Sequence, residues 1–192
     1  MYTFYLLKPD MLQDRESLEF YKKFLYEQRV NIIYEDEFNW INTAKILYEP
    51  SDINDIEKLR LIRKHMITTI KGYQMYYENI CVINLFNISE DRVKEFYNFK
   101  KKLRQKFVYN SDKYYISFYD KLSLDTEIKN IDIESLSCNV VIKKHYETFD
   151  DTNYSMAFFN RIHFPDPNPT SIEHDLHILL DNKNENKFLI KR

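Results

Sequence analysis

Asn160-Arg161-Ile162-His163-Phe164-Pro165-Asp166-Pro167 lies between an apolar, strand-like run, Tyr154 to Phe159, and an amphipathic run, Ser171 to Leu180. A histidine thus stands at a strand-helix boundary, with an amide three residues before it and a carboxylate three after. Pro165, Pro167 and Pro169 lack N–H donors and restrict φ, so the turn is expected to be stiff, which suits a side chain that has to be held in place. A lone histidine at a strand end is more often a surface residue than a nucleophile. Its reading depends on the rest of the chain.

Outward from this stretch, the elements follow from periodicity and punctuation. Tyr2 to Leu7 is an apolar run rich in β-favouring aromatics, stopped by Lys8-Pro9-Asp10, where Pro9 removes a ladder donor and biases Lys8 toward an extended backbone. Asp14 is placed to cap a helix reaching about Gln28, with Leu18, Tyr21, Phe24 and Leu25 at helical spacing. Val30 to Trp40 alternates as a second strand. Asn42 to Tyr48 reads as a short helix closed by Pro50, and Ser51 or Asp52 opens another with Ile56, Leu59, Ile62, Ile67 and Ile70 along one stripe. Ile80 to Phe86 reads as a buried third strand, and Ser89 starts a helix to about Phe107. Its inward residues are Val93, Phe96, Phe99 and Leu103, and Lys100, Lys101, Lys102 and Arg104 give it a basic group. In the irregular stretch 108–150, Tyr114 to Tyr119 and Asn139 to Ile142 suggest a hairpin-like excursion. Tyr154 to Phe159 is expected as the fourth core strand, and Ser171 to Leu180 as the last helix, with Ile172, Leu176, Leu179 and Leu180 inward. This order predicts one domain over 1–192, of α+β class: a ferredoxin-like βαββαβ antiparallel sheet sandwich, helices on one face, with an inserted segment at about 108–150.

Composition narrows the chemistry. A net charge of -2 over 192 residues argues against a dedicated nucleic-acid partner, whose phosphate contacts require a basic domain. No apolar run approaches the roughly 18 residues of a membrane span, and the first residues do not form a signal peptide. With a mean hydropathy of -0.58, this makes a cytoplasmic location without a membrane partner the expectation. Cys81 and Cys138 alone are too few for a disulfide scaffold or a cysteine zinc site. His174 and His177, at i, i+3 spacing, are only a weak zinc signal, so no metal ligand is assigned. Glycine occurs once, at Gly72, where about a dozen are usual for this length. Phosphate cradles built from backbone N–H groups need several glycines, so Walker loops and Rossmann turns are excluded and any nucleotide must be held by side chains.

Two separated motifs then agree. Lys8-Pro9-Asp10 after an amino-terminal strand, with Asn160-x-x-His163-x-x-Asp166 before a helix carrying Ser171, Glu173 and Asp175, resembles the nucleoside diphosphate kinases. The resemblance implies a homo-oligomer that moves the γ-phosphate of ATP or another nucleoside triphosphate, carried with Mg²⁺, onto His163 and then onto a nucleoside diphosphate. It implies Lys8 against the transferred phosphate, Asp175 as acceptor for the second imidazole nitrogen, and a nucleotide held by Lys8, Tyr48, Lys100, Arg104 and Asn160, with the base on an apolar surface near Ile67. Departures are equally specific. Phe164 and Pro165 stand where the family has glycine and serine or threonine, adding bulk and deleting a donor beside the histidine. Asp150 stands where the family has an arginine, with Lys143, Lys144 or His145 as nearby compensation. Slowed transfer or a changed acceptor is the expected consequence. The alternatives are a nucleotide-binding regulatory or partner-recognition domain without phosphotransfer, or a related transferase with a different acceptor.

Overall fold

The computed structural model describes residues 1–48, 73, 77–104, 106–107, 115–117, 141–143 and 161–181. The first strand, β1 (Tyr2–Leu7), runs into a single helical turn, α1 (Pro9–Leu12), with proline at the first helical position, where its missing N–H is not needed. The next helix, α2 (Arg15–Glu27), starts where the sequence predicts: the Asp14 carboxylate accepts from the backbone N–H groups of Glu16 (3.1 Å) and Ser17 (3.3 Å). β2 (Tyr34–Asn39) leads directly into α3 (Trp40–Tyr48), and β3 (Ile80–Asn87) leads through a short 3-10 turn into α4 (Val93–Arg104). The strands β4 (Tyr115–Ser117) and β5 (Val141–Lys143) pair antiparallel, as the hairpin-like reading of that segment expects. The chain closes with β6 (Ile162–His163) and α5 (Pro169–Asp181).

The class is α+β. β1, β2, β3 and β6 form one sheet in the order β2-β3-β1-β6, every neighbouring pair antiparallel. Among the described residues no helix is long and apolar enough to cross a membrane.

Two expectations change. The fourth place in the sheet is taken by Ile162 and His163, so the histidine sits in the ladder itself and not in the turn behind it; Tyr154 to Phe159 lies outside the described residues, as does the helix expected from Ser51 or Asp52. The sheet also carries helices on both faces, not one. On the first face Tyr5 is ringed by Tyr21, Phe86, Phe96, Phe99 and Phe164, and Phe24 stacks on Phe99 with centroids 3.8 Å apart. On the second face Phe4, Leu6, Cys81 and Ile83 are fully buried, with α3 against β2 and α5 against β1 and α3. The physical reason is visible in β1, where Thr3 to Leu7 is buried without interruption: a strand covered on both sides has no polar face to alternate with.

Phe164 follows the alternation. Ile162 and Phe164 enter the aromatic core while His163 points the other way, so the bulk of Phe164 does not crowd the imidazole. Replacing Phe164 by Ala is expected to cost about 3–5 kcal/mol in urea unfolding, as for other buried aromatics. Tyr2→Ala, at a 59% exposed position, is expected within about 0.5 kcal/mol of wild type.

Candidate functional site

The site is set by the pairing of β6 with β1. His163 lies opposite Leu6 and Ile162 opposite Leu7, and directly opposed residues share a face, so His163 stands on the Phe4–Leu6 side. The Phe4 and His163 ring centroids are 6.1 Å apart. Lys8 continues the same row of side chains, its Nζ 5.4 Å from the centre of the Trp40 ring on α3. Lys8 is the diagonal neighbour of His163 across the antiparallel pair, a separation that long side chains can bridge. The ends of the chain thus supply an ammonium and an imidazole to one face. Lys8 is fully buried, not an exposed strand-end lysine.

Imidazole chemistry follows from one hydrogen bond. His163 Nε2 lies 3.0 Å from Asp175 Oδ2 on α5. An ionised carboxylate only accepts, so Nε2 carries the hydrogen and the lone pair is left on Nδ1. Short as its side chain is, the aspartate reaches the ring. The position of α5 follows from its own cap: Asn168 Oδ1 accepts from Ser171 N at 2.8 Å, with Pro169 at the start of the helix and Ile172 and Leu179 buried beneath it. The His163 side chain keeps 15% of its surface exposed.

Charge acts in a consistent direction. Burial holds the His163 imidazole below its ordinary pKa; the hydrogen bond to Asp175 opposes this, and the positive charges of Lys100 and Lys8 reinforce it. Asp175 is held below the usual carboxylate range: burial pushes it up, but the hydrogen bonds and charges of His163 and His174 outweigh that. At neutral pH the pair is therefore imidazole and carboxylate. Cys81 on the same face is pushed up to about 12 by burial and is no nucleophile.

No family model, curated protein or solved structure matches the chain.

The remaining sequence-predicted residues divide. Lys100 is brought close, donating from Nζ to the Phe164 carbonyl at 2.9 Å, one residue past the imidazole. Tyr48 ends α3 and Arg104 ends α4, and their side chains lie outside the described residues, as do Asn160, Asp150, Lys144, His145 and Ile67 entirely. His174 and His177 are exposed and face Asp175 and Asp181, and among the described residues no group of three or more His, Cys, Asp or Glu is placed to hold a metal ion.

Sequence reasoning missed a buried polar cluster beside the site. Arg161 is 1% exposed and sits at φ 67°, a left-handed conformation that costs a non-glycine residue on the order of 1–3 kcal/mol. Its Nη2 lies 3.0 Å from Asp14 Oδ2, its Nε 3.7 Å from Asp10 Oδ2, and Nη1 donates to the Asp10 carbonyl. Tyr73 donates from its hydroxyl to Asp10 Oδ1 at 2.9 Å. Burial raises the Asp10 carboxyl, opposed by Arg161, Lys8 and the Tyr73 hydrogen bond. No local signal marks Arg161, because its partners lie 151 and 54 positions away.

Removing the Asp175 charge by Asp175→Asn is expected to lower the His163 pKa further, and Lys100→Met to raise it, both read by NMR titration. The folded His163 pKa lies below its unfolded value near 6.5, so the unfolded chain binds the extra proton. Stability should fall as pH drops from that value toward the folded pKa, and His163→Gln should remove that part of the slope in urea unfolding across the same window.

Proposed function

We propose that the chain is a diverged nucleoside diphosphate kinase-like phosphotransferase on a ferredoxin-like α+β fold, acting as a homo-oligomer. The observation that carries the reading is the 3.0 Å hydrogen bond between His163 Nε2 and Asp175 Oδ2, on the sheet face that also holds Lys8. The strand order β2-β3-β1-β6, all antiparallel with helices between the strands, supports the fold assignment.

In this reading Nδ1 attacks the γ-phosphorus of a Mg²⁺-bound nucleoside triphosphate. The N–P bond forms as the bond to the β–γ bridging oxygen breaks, and the nucleoside diphosphate leaves with that electron pair. A terminal oxygen of a second nucleoside diphosphate then attacks the phosphorus, the N–P bond breaks, and the imidazole returns to its starting state. No net proton is required in the first half. Asp175 stabilises the positive charge that the ring acquires through its Nε2–H.

Phosphoryl transfer is dominated by positioning and charge compensation. Lys8 and Lys100 are the described cations acting on the imidazole. Lys8 places its ammonium against the transferred phosphoryl group, and Lys100 exchanges the Phe164 carbonyl for an outer phosphate oxygen. Asn160, Tyr48 and Arg104 complete the nucleotide contacts in this proposal, and Mg²⁺ enters with the nucleotide as substrate.

Incubation with γ-labelled ATP and Mg²⁺ is expected to place an acid-labile, base-stable label on wild type and none on His163→Ala. Lys8→Met should slow labelling by about 10²–10³-fold, the range for removing one charge stabiliser of a transition state. The rate should stay level from pH 8 down to the ordinary imidazole range and decline only below it, because the folded His163 pKa is lowered. Nucleotide binding without label would replace transferase with a nucleotide-binding regulatory domain; label found only on an added third molecule would indicate a different acceptor.

A further inference from the structure

We infer that Arg161 is the positioning residue that fixes the Lys8 ammonium and the His163 imidazole relative to each other. Its side chain joins three segments: the turn after β1 through the Asp10 carbonyl and carboxylate, the cap of α2 through Asp14, and the residues after α4 through the Phe107 carbonyl, 3.4 Å from Nη2. Its backbone adds a fourth connection, since the Lys8 N–H donates to the Arg161 carbonyl at 2.9 Å. Lys8 is therefore tied to the residue two positions before His163, and that residue is tied to the turn that follows Lys8. Movement of either strand end requires breaking this buried cluster.

A role in gripping phosphate does not fit Arg161. Its guanidinium nitrogens already face two carboxylates and two carbonyls of the protein. Generic packing does not fit either, because the backbone adopts φ 67° to place it there. A planar fork spanning Asp10, Asp14 and Phe107 is a task for arginine, and a lysine ammonium, a single point charge, cannot reach all three at once. The charges acting on His163 come from Lys100, Asp175 and Lys8, so any effect of Arg161 on the imidazole runs through those groups.

The catalytic importance of this rests on the phosphotransfer reading, but the placement is testable without it. The His163 pKa would be measured by NMR in wild type, Lys8→Met, Arg161→Lys and the double variant, beside urea unfolding. Arg161→Lys keeps the charge and loses the fork. It is expected to raise the His163 pKa in the same direction as Lys8→Met, with the double variant going no further than Lys8→Met alone. Asp14→Asn, which keeps a helix cap, should shift it the same way if Arg161→Lys does not fold. An unchanged His163 titration in the folded variant, or shifts that add in the double variant, would overturn the inference. In single-turnover labelling, Arg161→Lys should be slower by about 100-fold, the cost of a misplacement near 1 Å, with nucleotide Kd changed less than about threefold. Equal losses in rate and in Kd would overturn it as well. A wild type that forms no phosphohistidine would remove the transfer reading, while the His163 titration would still decide the role of Arg161.

Discussion

The pairing of two residues of β6 with two of β1 is the constraint on which the site depends. Side chains along a strand alternate, so this short ladder sends Ile162 and Phe164 into the aromatic core and His163 to the opposite face. A slip of one position would reverse all three, burying an imidazole among phenyl rings and exposing two large apolar side chains. The aromatic core therefore fixes where the histidine points. Tyr5, fully buried within it, adds a directional restraint by donating its hydroxyl to the Phe96 carbonyl at 2.7 Å, which ties β1 to α4.

The end of β1 gathers charges that an apolar interior would normally reject. Lys8 and Asp10 are fully buried and Arg161 nearly so, and an isolated buried ion costs several kcal/mol even after relaxation. Here the cost is offset by mutual arrangement: Lys8 and Arg161 both act on Asp10, Arg161 meets Asp14, Tyr73 donates to Asp10, and the Trp40 ring offers its face to the Lys8 ammonium. A structure that maintains strained backbone and buried cations at one place, beside a histidine with a fixed tautomer, gives up stability to hold that local geometry. This is the physical content behind proposing a reactive centre there.

Much of this was legible in the residues. Apolar runs and proline gave β1 and its end, Asp14 gave the start of α2, and helical spacing gave the buried sides of α4 and α5. The start of β2 was not, because Ile32 and Ile33 extend its apolar pattern although both are exposed and the ladder begins at Tyr34. Cover on both faces was written in the unbroken apolar run of β1, yet element order alone suggested a single covered face. Arg161 was out of reach for a different reason: its partners lie 151 and 54 positions away, and a positive φ in arginine has no sequence signature.

Phe164 shows how a departure from a motif can be neutral at one level and consequential at another. In side-chain terms it joins the core, and the bulk expected beside the nucleophile lies on the other side of the sheet. In backbone terms its carbonyl occupies the Lys100 ammonium, and Pro165 behind it offers no N–H. In the proposed transfer, a phosphate approaching Nδ1 would draw Lys100 from a carbonyl, an exchange of a neutral acceptor for an anionic one that strengthens the hydrogen bond roughly twofold. In that reading phosphate recognition falls to the side chains of two lysines, which is consistent with a chain that carries a single glycine.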